Sequence, residues 1–231
     1  MKIFWLTKAA ERSLAKDEVE EFLAESLGAY LMSEGRLDSL VRAGARPARG
    51  HAEPVLCSDT VLAMTGPTFE HGLHGKPRFA DLALRDVHFS ISHTKGAAVV
   101  AFADREIGID IERTSRFDKG EERLLGIARR FFADDELAYV VGEGQTTPTA
   151  LRPPLHRGEL ASRFFEVWTG KEAYMKWTGR GFSEGFRTFS VFDVEPVIET
   201  FRGPEDIVCS VCGEGLDCHA SLAMTVMECS Q

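Results

Sequence analysis

Two carboxylates lie two positions apart in the stretch GIDIER, which runs from Gly108 to Arg113. The alternation of residue types predicts a β-strand, with isoleucines on one face and Asp110 and Glu112 on the other. Neighbours on one strand face are about 6.6 Å apart, so like charges repel unless water or a cation screens them. Carboxylate oxygens suit Mg²⁺ or Mn²⁺, and the adjacent glycine is expected to leave room for a ligand. A solvated strand face is the ordinary alternative.

A third carboxylate, Glu172, belongs to a stretch with helical spacing. The apolar positions of that helix form one stripe, which consists of Phe164, Phe165, Trp168 and Met175. Glu172 falls inside the stripe, where a carboxylate is costly unless something compensates it. One interpretation is an i,i+4 pair with Lys176 on a surface helix, with Lys171 snorkelling nearby. The other is a three-carboxylate metal site formed with Asp110 and Glu112.

Polar groups suited to phosphate occur at two predicted turns. SISHTKG places Ser92 and His93 at the end of a strand, and HGKPRF places Lys76 and Arg78 in a glycine-proline loop. Each residue alone is ordinary, because turn histidines are usually structural and loop lysines are usually solvated. Together they would supply cationic and donor groups for phosphates.

The first half of the chain is predicted to open with a strand (KIFWL) and a helix (KDEVEEFLAESLGAYLM). The stretch VLCSDTVLAMTG favours a second helix that ends at Gly66, and HGLHGKPRF is predicted to be a loop. From Val87 the period changes to two, and VHFSIS, AAVVAF and IGIDIE are expected to form a three-stranded meander.

The second half is predicted to contain a helix over EERLLGIARRFFADDELAYVV and a stronger one that ends near Gly179. The stretches FRTFSVFDV, DIVCSVC and CHASLAMTVM favour strands. Helices and antiparallel strands mix without βαβ alternation, which indicates an α+β fold. A looser repetition of helix and meander predicts two similar halves, 1–104 and 105–231, each with a meander sheet packed on a long helix.

Composition bounds the class of protein. The chain has 231 residues, 44% of them hydrophobic, and a formal charge of -9, which argues against a general nucleic-acid binder. We expect no signal peptide and no membrane span, and five cysteines do not indicate a disulfide framework. A cytoplasmic monomer is the expectation. The spacing of Cys209, Cys212, Cys218 and His219 permits a zinc site, although buried strand cysteines are the commoner explanation.

Five stretches that follow one another from Gly75 to Phe182 carry a family resemblance: GKPRF, VHFSISHTKG, IGIDIER, RRFF and FFEVWTGKEAYMKWTGRGF. In this order and spacing they resemble the 4′-phosphopantetheinyl transferase superfamily, of the surfactin-synthetase-activator type. The resemblance implies two similar α+β halves with the site in the cleft between them. It also implies transfer of the phosphopantetheine arm of coenzyme A to a serine of an apo carrier protein, which leaves adenosine 3′,5′-bisphosphate.

The resemblance also implies residue roles. Asp110, Glu112 and Glu172 would hold Mg²⁺, with Mn²⁺ as the alternative, beside the pyrophosphate of coenzyme A. Glu172 would accept the serine proton, directly or through water, and Lys176 would stabilise or protonate the leaving phosphate. The implied contacts with coenzyme A belong to Lys76, Pro77, Ser92 and His93.

One feature departs from the family pattern. A basic cluster usually opens a helix in the first half and grips the 3′-phosphate, whereas residues 50–75 contain no lysine or arginine here. Arg42, Arg46 and Arg49 lie just upstream and are the candidates for that contact.

The expected partner is an apo acyl or peptidyl carrier protein, from fatty acid, polyketide or peptide synthesis. Carriers are typically acidic, so a basic patch is expected to face one, with these candidates: Arg116, Lys119, Arg123, Arg129 and Arg130. Two alternatives stay open at the level of sequence. One is a catalytically silent protein that binds a nucleotide or a carrier, and the other is a metal-dependent hydrolase of the pyrophosphate.

Overall fold

The structure is a computed structural model that describes residues 1–10, 12–36, 67–72, 74–117, 120–142, 158–181, 185–216 and 224–227, the last of these and 116–117 as backbone only. The strands are β1 (Lys2–Thr7), β2 (Phe69–His71), β3 (Pro77–Phe79), β4 (His88–Thr94), β5 (Ala97–Ala103), β6 (Ile107–Arg113), β7 (Val197–Arg202), β8 (Ile207–Gly213) and β9 (Met224–Met227). The α-helices are α1 (Lys16–Ser33), α2 (Glu121–Phe131), α3 (Asp134–Val140) and α4 (Glu159–Thr178). The helix predicted to end at Gly66 lies outside the described residues.

Two sheets lie face to face between two long helices. The first sheet has the strand order β4-β5-β1-β9, and the second has the order β6-β8-β7. One face of the first sheet packs on α1, the other packs on the isoleucine face of β6, and α4 covers the far side of the second sheet. All described pairs are antiparallel except β1 with β9. The α+β prediction is therefore confirmed, while the division at residue 104 stays a prediction.

The predicted three-stranded meander is wrong in its last strand. β4 and β5 form a hairpin, but β6 leaves the sheet and pairs with β8, about 100 residues later in the chain. The reason is burial on both faces. The isoleucines of β6 are buried against alternate residues of β5, while its other face lies under α4. A strand that lay beside β5 within the first sheet could not also pack its isoleucines onto the face of β5 and its other side under α4.

Two further predictions of secondary structure need correction. The stretch HGLHGKPRF is not all loop, because β2 and β3 form a short antiparallel pair there. The stretch FRTFSVFDV forms one turn of 3-10 helix at Phe186–Thr188 and no strand. The backbone carbonyls of Phe186 and Phe189 point at the Lys171 ammonium, at 2.6 and 2.7 Å, and are not available to a strand ladder.

The helix predicted after β6 is divided into α2 and α3. Phe132 adopts an extended conformation between them and is fully buried, with its ring 5.2 Å from that of Phe164. The next helix begins at Asp134, and the Glu136 side chain caps its start by accepting the N–H of Ala133 at 2.7 Å. Burial of one aromatic ring therefore interrupts a stretch whose local spacing is helical throughout.

Helix α4 ends where the sequence predicts. Gly179 has a φ of 67°, a left-handed conformation that glycine adopts at little cost, and its N–H bonds the carbonyl of Met175 at 3.0 Å. Within the part of the chain that the structure describes, no helix combines the length and the apolar character that a membrane span requires.

Candidate functional site

The close approach of α4 to β6 depends on Gly108. A Cβ atom at this position would lie 1.9 Å from the carbonyl oxygen of Ala173 and 2.6 Å from the backbone nitrogen of Trp177. The space beside Gly108 is therefore filled by the helix backbone, which corrects the expectation that it holds a ligand. The consequence for the site is that the polar face of β6 lies directly against the face of α4 that carries Glu172.

Asp110 is buried under that helix, with 6% of its surface exposed, so the solvated strand face is excluded. Its Oδ1 atom accepts two hydrogen bonds, from the Ser92 hydroxyl at 2.8 Å and from the Lys176 ammonium at 2.8 Å. The ion pair of Lys176 is thus with Asp110 and not with Glu172. The surface i,i+4 pair considered for the helix is not what the chain forms.

Glu172 has a strongly perturbed carboxyl group. Burial, followed by the negative charge of Asp110, raises its pKa from 4.5 to about 7, with a smaller contribution from Glu112 and a lowering effect of Lys176. These contributions require that the three carboxyl groups share one electrostatic environment. Asp110 and Glu112 are thus close enough to Glu172 to disfavour its ionised form, while a metal site formed by the three stays a prediction.

Side chains bridge the edges of the two sheets at this place. Ser90 and Ser92 on β4 accept the N–H groups of Ile109 and Ile111 on β6, at 3.0 and 3.3 Å. The Lys176 ammonium completes this seam by bonding one carbonyl from each strand, at 3.3 and 3.0 Å. We use the name "seam" for the contact of β4 with β6 through these three side chains.

A cavity of about 260 Å³ lies beside Glu172 and Lys176. Its wall combines the glycine-proline loop, strand β4 and the last turns of α4. The lining residues are His74, Gly75, Lys76, Pro77, Phe89, Ser90, Ile91, Glu172, Met175, Lys176, Gly179 and Gly181. Of the predicted coenzyme A contacts, Lys76 and Pro77 line this cavity, and of the predicted metal ligands, Glu172 does.

Lys76 lines the cavity with its chain, but its ammonium is engaged elsewhere. It ion-pairs with Glu106 at 2.6 Å and donates to the carbonyls of Ile107 and Trp177, each at 3.2 Å. Burial lowers its pKa, and Glu106 opposes that effect. Arg78 also reaches Glu106, at 3.3 Å. Lys76 thus ties the loop to the start of β6 and the end of α4.

The remaining predicted contacts are placed as follows. His93 is exposed at the end of β4 and does not line the cavity. The Ser92 hydroxyl, as given above, is occupied by Asp110 and the N–H of Ile111. Arg42, Arg46 and Arg49 lie outside the described residues, as does Lys119. Of the basic patch predicted for a carrier, Arg123, Arg129 and Arg130 are exposed on α2.

Sequence reasoning missed the role of Lys171, which does not snorkel. Its side chain is fully buried and pairs at 2.8 Å with Glu136, which is also fully buried. The Lys171 ammonium also lies 4.1 Å from the centre of the Phe189 ring. This pair joins α4 to α3. The only feature of the sequence that could have indicated it is the position of a lysine beside the apolar stripe of α4.

The cysteines of β8 do not form a shared site. Cys209 and Cys212 are an odd number of residues apart on a strand, so their side chains lie on opposite faces. Cys209 belongs to the core between the two sheets, and burial raises the pKa of both thiols, that of Cys212 to about 12. Cys218 and His219 lie outside the described residues.

The donor set of the site fits a hard divalent cation. Three carboxylates offer oxygen ligands only, and their mutual repulsion, seen at Glu172, is what a cation would relieve. Among the described residues, no three His, Cys, Asp or Glu side chains stand in a ready-made metal arrangement. Coordination by all three carboxylates would therefore require side-chain adjustment.

Comparison with known proteins gives one family. Residues 106–226 match the family model described as ACPS, 4′-phosphopantetheinyl transferase superfamily. The chain is 35% identical over 113 residues to 4′-phosphopantetheinyl transferase gsp of Aneurinibacillus migulanus, a match that covers 49% of this chain and 38% of that protein. It is 33% identical over 144 residues to psf-1 of Bacillus pumilus, covering 62% and 53%.

A third relative is 4′-phosphopantetheinyl transferase Sfp of Bacillus subtilis, which is 33% identical over 118 residues, or 51% of this chain and 44% of the relative. The matched part therefore spans about two fifths to one half of the length of these relatives. The family match over residues 106–226 includes β6, α4 and β8, and so both elements that carry the candidate metal ligands.

Proposed function

Because the chain belongs to the 4′-phosphopantetheinyl transferase superfamily, we propose that it transfers the 4′-phosphopantetheine arm of coenzyme A to a serine of an apo carrier protein. The observation that carries this proposal is the cavity. A space of about 260 Å³ is bordered at once by the glycine-proline loop, by Glu172 and by Lys176. A donor that presents a pyrophosphate to the carboxylates and a longer body to the loop would fill such a space.

The ligands of Mg²⁺ in this proposal are Asp110, Glu112 and Glu172. When bound, a divalent cation supplies electrostatic stabilisation to the pyrophosphate oxygens on which charge develops. Binding would also convert Glu172 from a carboxyl group with a raised pKa into an ionised ligand. Mn²⁺ has the same preference for oxygen and is the alternative cation.

In the transfer, the serine oxygen forms a bond to the phosphorus that carries the pantetheine arm. The bond from that phosphorus to the bridging oxygen breaks, and adenosine 3′,5′-bisphosphate leaves with the electron pair. The serine proton passes to Glu172, directly or through water. For Lys176 we propose stabilisation of the leaving phosphate, which its position at the cavity wall and its 30% side-chain exposure support. Its ammonium would have to exchange one of its bonds to Asp110, Ile91 or Ile109 for the phosphate.

Contacts with coenzyme A are proposed for the loop and the end of β4. Lys76 and Pro77 line the cavity, with the lysine acting through its chain because its ammonium holds Glu106. His93 is exposed at the strand end, where it is accessible to a phosphate. The 3′-phosphate contact is proposed for Arg42, Arg46 and Arg49.

For the carrier we propose the exposed face of α2. Arg123, Arg129 and Arg130 are exposed there, and an acidic partner would complement them. The two α+β parts on either side of the seam, each a sheet with its long helix, are proposed to be the two similar halves of the family, with the site in the cleft between them. A cytoplasmic location and a monomeric state stay predictions from the sequence.

Intact-mass spectrometry tests the activity. The purified chain is incubated with coenzyme A, Mg²⁺ and a panel of apo carrier proteins from fatty acid, polyketide and peptide synthesis. We expect one or more carriers to gain the mass of a phosphopantetheine arm, and the gain to disappear with a chelator or when the acceptor serine is alanine. No gain on any carrier contradicts the proposal, and release of phosphopantetheine without a carrier would identify a hydrolase.

A further inference from the structure

Two serines on β4 make the same contact with β6 but differ in one bond. Ser90 and Ser92 lie two positions apart, and each hydroxyl accepts one backbone N–H of β6. The Ser92 hydroxyl alone also donates to a carboxylate, namely Oδ1 of Asp110 at 2.8 Å. The two residues are therefore matched in their contribution to the seam and unmatched in their contact with the site.

The single hydrogen of the Ser92 hydroxyl is used in that bond. A hydroxyl has one donor and two acceptor lone pairs, and an ionised carboxylate can only accept. The N–H of Ile111 therefore takes a lone pair of Ser92, and the hydrogen points to Asp110. A phosphate oxygen, which also accepts, cannot use the same hydrogen at the same time.

Both donors to Asp110 converge on one of its two oxygens. Ser92 and Lys176 each lie 2.8 Å from Oδ1, whereas Oδ2 has no hydrogen bond from the residues that the structure describes. Two bonds to one oxygen of a carboxylate that is 6% exposed restrict its rotation and leave the second oxygen available to a further partner. Partners of this kind orient metal ligands and commonly change metal affinity by about 10- to 100-fold.

We propose that Ser92 is a positioning residue, which holds Asp110 through Oδ1 so that Oδ2 is presented to the divalent cation. This inference rests on the metal of the proposed function. It replaces a contact between the Ser92 hydroxyl and coenzyme A, and it assigns to Ser90 no part in orienting a metal ligand.

The test measures binding of Mn²⁺ alone, by the electron paramagnetic resonance signal of the free ion, to the wild-type chain and three variants. We expect Ser92→Ala to bind Mn²⁺ about 10-fold more weakly or worse. Ser92→Thr, which keeps the hydroxyl, should bind within about threefold of wild type, and so should Ser90→Ala. Both alanine variants should lower the urea unfolding midpoint, because each loses one bond of the seam, and Ser92→Ala should lower it at least as much as Ser90→Ala because it also loses the bond to Asp110.

Kinetics separate positioning from direct binding. For Ser92→Ala, the Mg²⁺ concentration that gives half-maximal turnover should rise while the KM for coenzyme A stays near the wild-type value. An increased KM for coenzyme A at saturating Mg²⁺ would instead indicate a phosphate contact and overturn the inference. If Ser92→Ala does not fold, Ser92→Cys keeps the volume with a much weaker donor and carries the same comparison.

The outcomes also separate this inference from the proposed function. Unchanged Mn²⁺ affinity in Ser92→Ala, or an equal loss in Ser90→Ala, overturns the positioning role even if carriers are modified. If the wild type modifies no carrier and Ser92→Ala still binds Mn²⁺ more weakly than wild type, the positioning role is supported and the transferase proposal is contradicted. A wild-type chain that binds no Mn²⁺ overturns this inference together with the metal site.

Discussion

Replacement of Glu172 by glutamine should stabilise the metal-free protein at alkaline pH. The carboxyl of Glu172 has a pKa of about 7 in the folded chain and an ordinary value of 4.5, because burial and the charge of Asp110 disfavour its ionised form. The folded state therefore binds this proton more tightly than the unfolded state does. Ionisation above pH 7 costs stability, and the cost declines as the pH falls through 7 towards 4.5.

The magnitude follows from the two pKa values. Their difference corresponds to about 3 kcal/mol at pH 8 and to less than about 1 kcal/mol at pH 5. Glu172 lies beside a cavity, and access of water to it reduces the effect, so we expect a gain of about 1 to 2 kcal/mol for Glu172→Gln at pH 8. For a chain of this length that gain corresponds to a rise in Tm of about 2 to 8 °C.

Urea unfolding followed by tryptophan fluorescence measures the gain, in a chelating buffer at pH 8.0, 6.5 and 5.0. Glu21→Gln is the matched control, because Glu21 is an exposed carboxylate on α1, and its substitution should leave the pH dependence unchanged. Addition of Mg²⁺ should stabilise the wild type more than Glu172→Gln. The reasoning is refuted if Glu172→Gln is no more stable than wild type at pH 8, or if its gain is the same at pH 5.

Three other predictions concern the scaffold and its ligands. Gly108→Ala should lower the free energy of unfolding by about 3 kcal/mol or more in chemical unfolding, because its Cβ would lie 1.9 Å from the carbonyl oxygen of Ala173. Gly126→Ala is the control: this position lies in the open middle of α2, and the free energy of unfolding should rise by up to about 1 kcal/mol. Lys171→Met should lower the free energy of unfolding by about 3 to 5 kcal/mol, because it leaves the buried Glu136 carboxylate without its partner charge. The double variant Lys171→Met/Glu136→Gln should recover part of that stability. An equal loss in the double variant would exclude the pair as the cause. Mg²⁺ with coenzyme A should raise Tm in differential scanning fluorimetry in a concentration-dependent way, and no shift at millimolar ligand would contradict binding.

Much of the local structure was predictable because it depends on periodicity and on chain breakers. The alternation in GIDIER predicts β6, and the helical spacing before Gly179 predicts α4 and its end. The strand alternation also predicts that Asp110 and Glu112 share a face. The helical repeat predicts that Glu172 points at something other than water. Side-chain direction within one element is a local property, so it can be obtained from the sequence around it.

Pairing between distant elements was not predictable in the same way. The predicted meander was wrong at β6. The sequence shows that this strand has an apolar face to bury, but it does not show which neighbouring strand will pair with it while that face is covered. The choice of β8 depends on a core between two sheets that includes Ile109 and Cys209. Lys171 was similarly misjudged, since a partner such as Glu136 lies 35 residues away and only the packing of α3 on α4 brings it near.

The sequence by itself determined which residues can do chemistry, and on which face of which element each one lies. Only the tertiary structure decided how those faces meet. It placed α4 against the bare backbone of Gly108, and it brought both Lys176 and the Ser92 hydroxyl to the carboxylate of Asp110. The physical reason is that charge, period and turn type are properties of neighbouring residues, whereas burial and hydrogen-bond partners depend on groups brought together from distant parts of the chain.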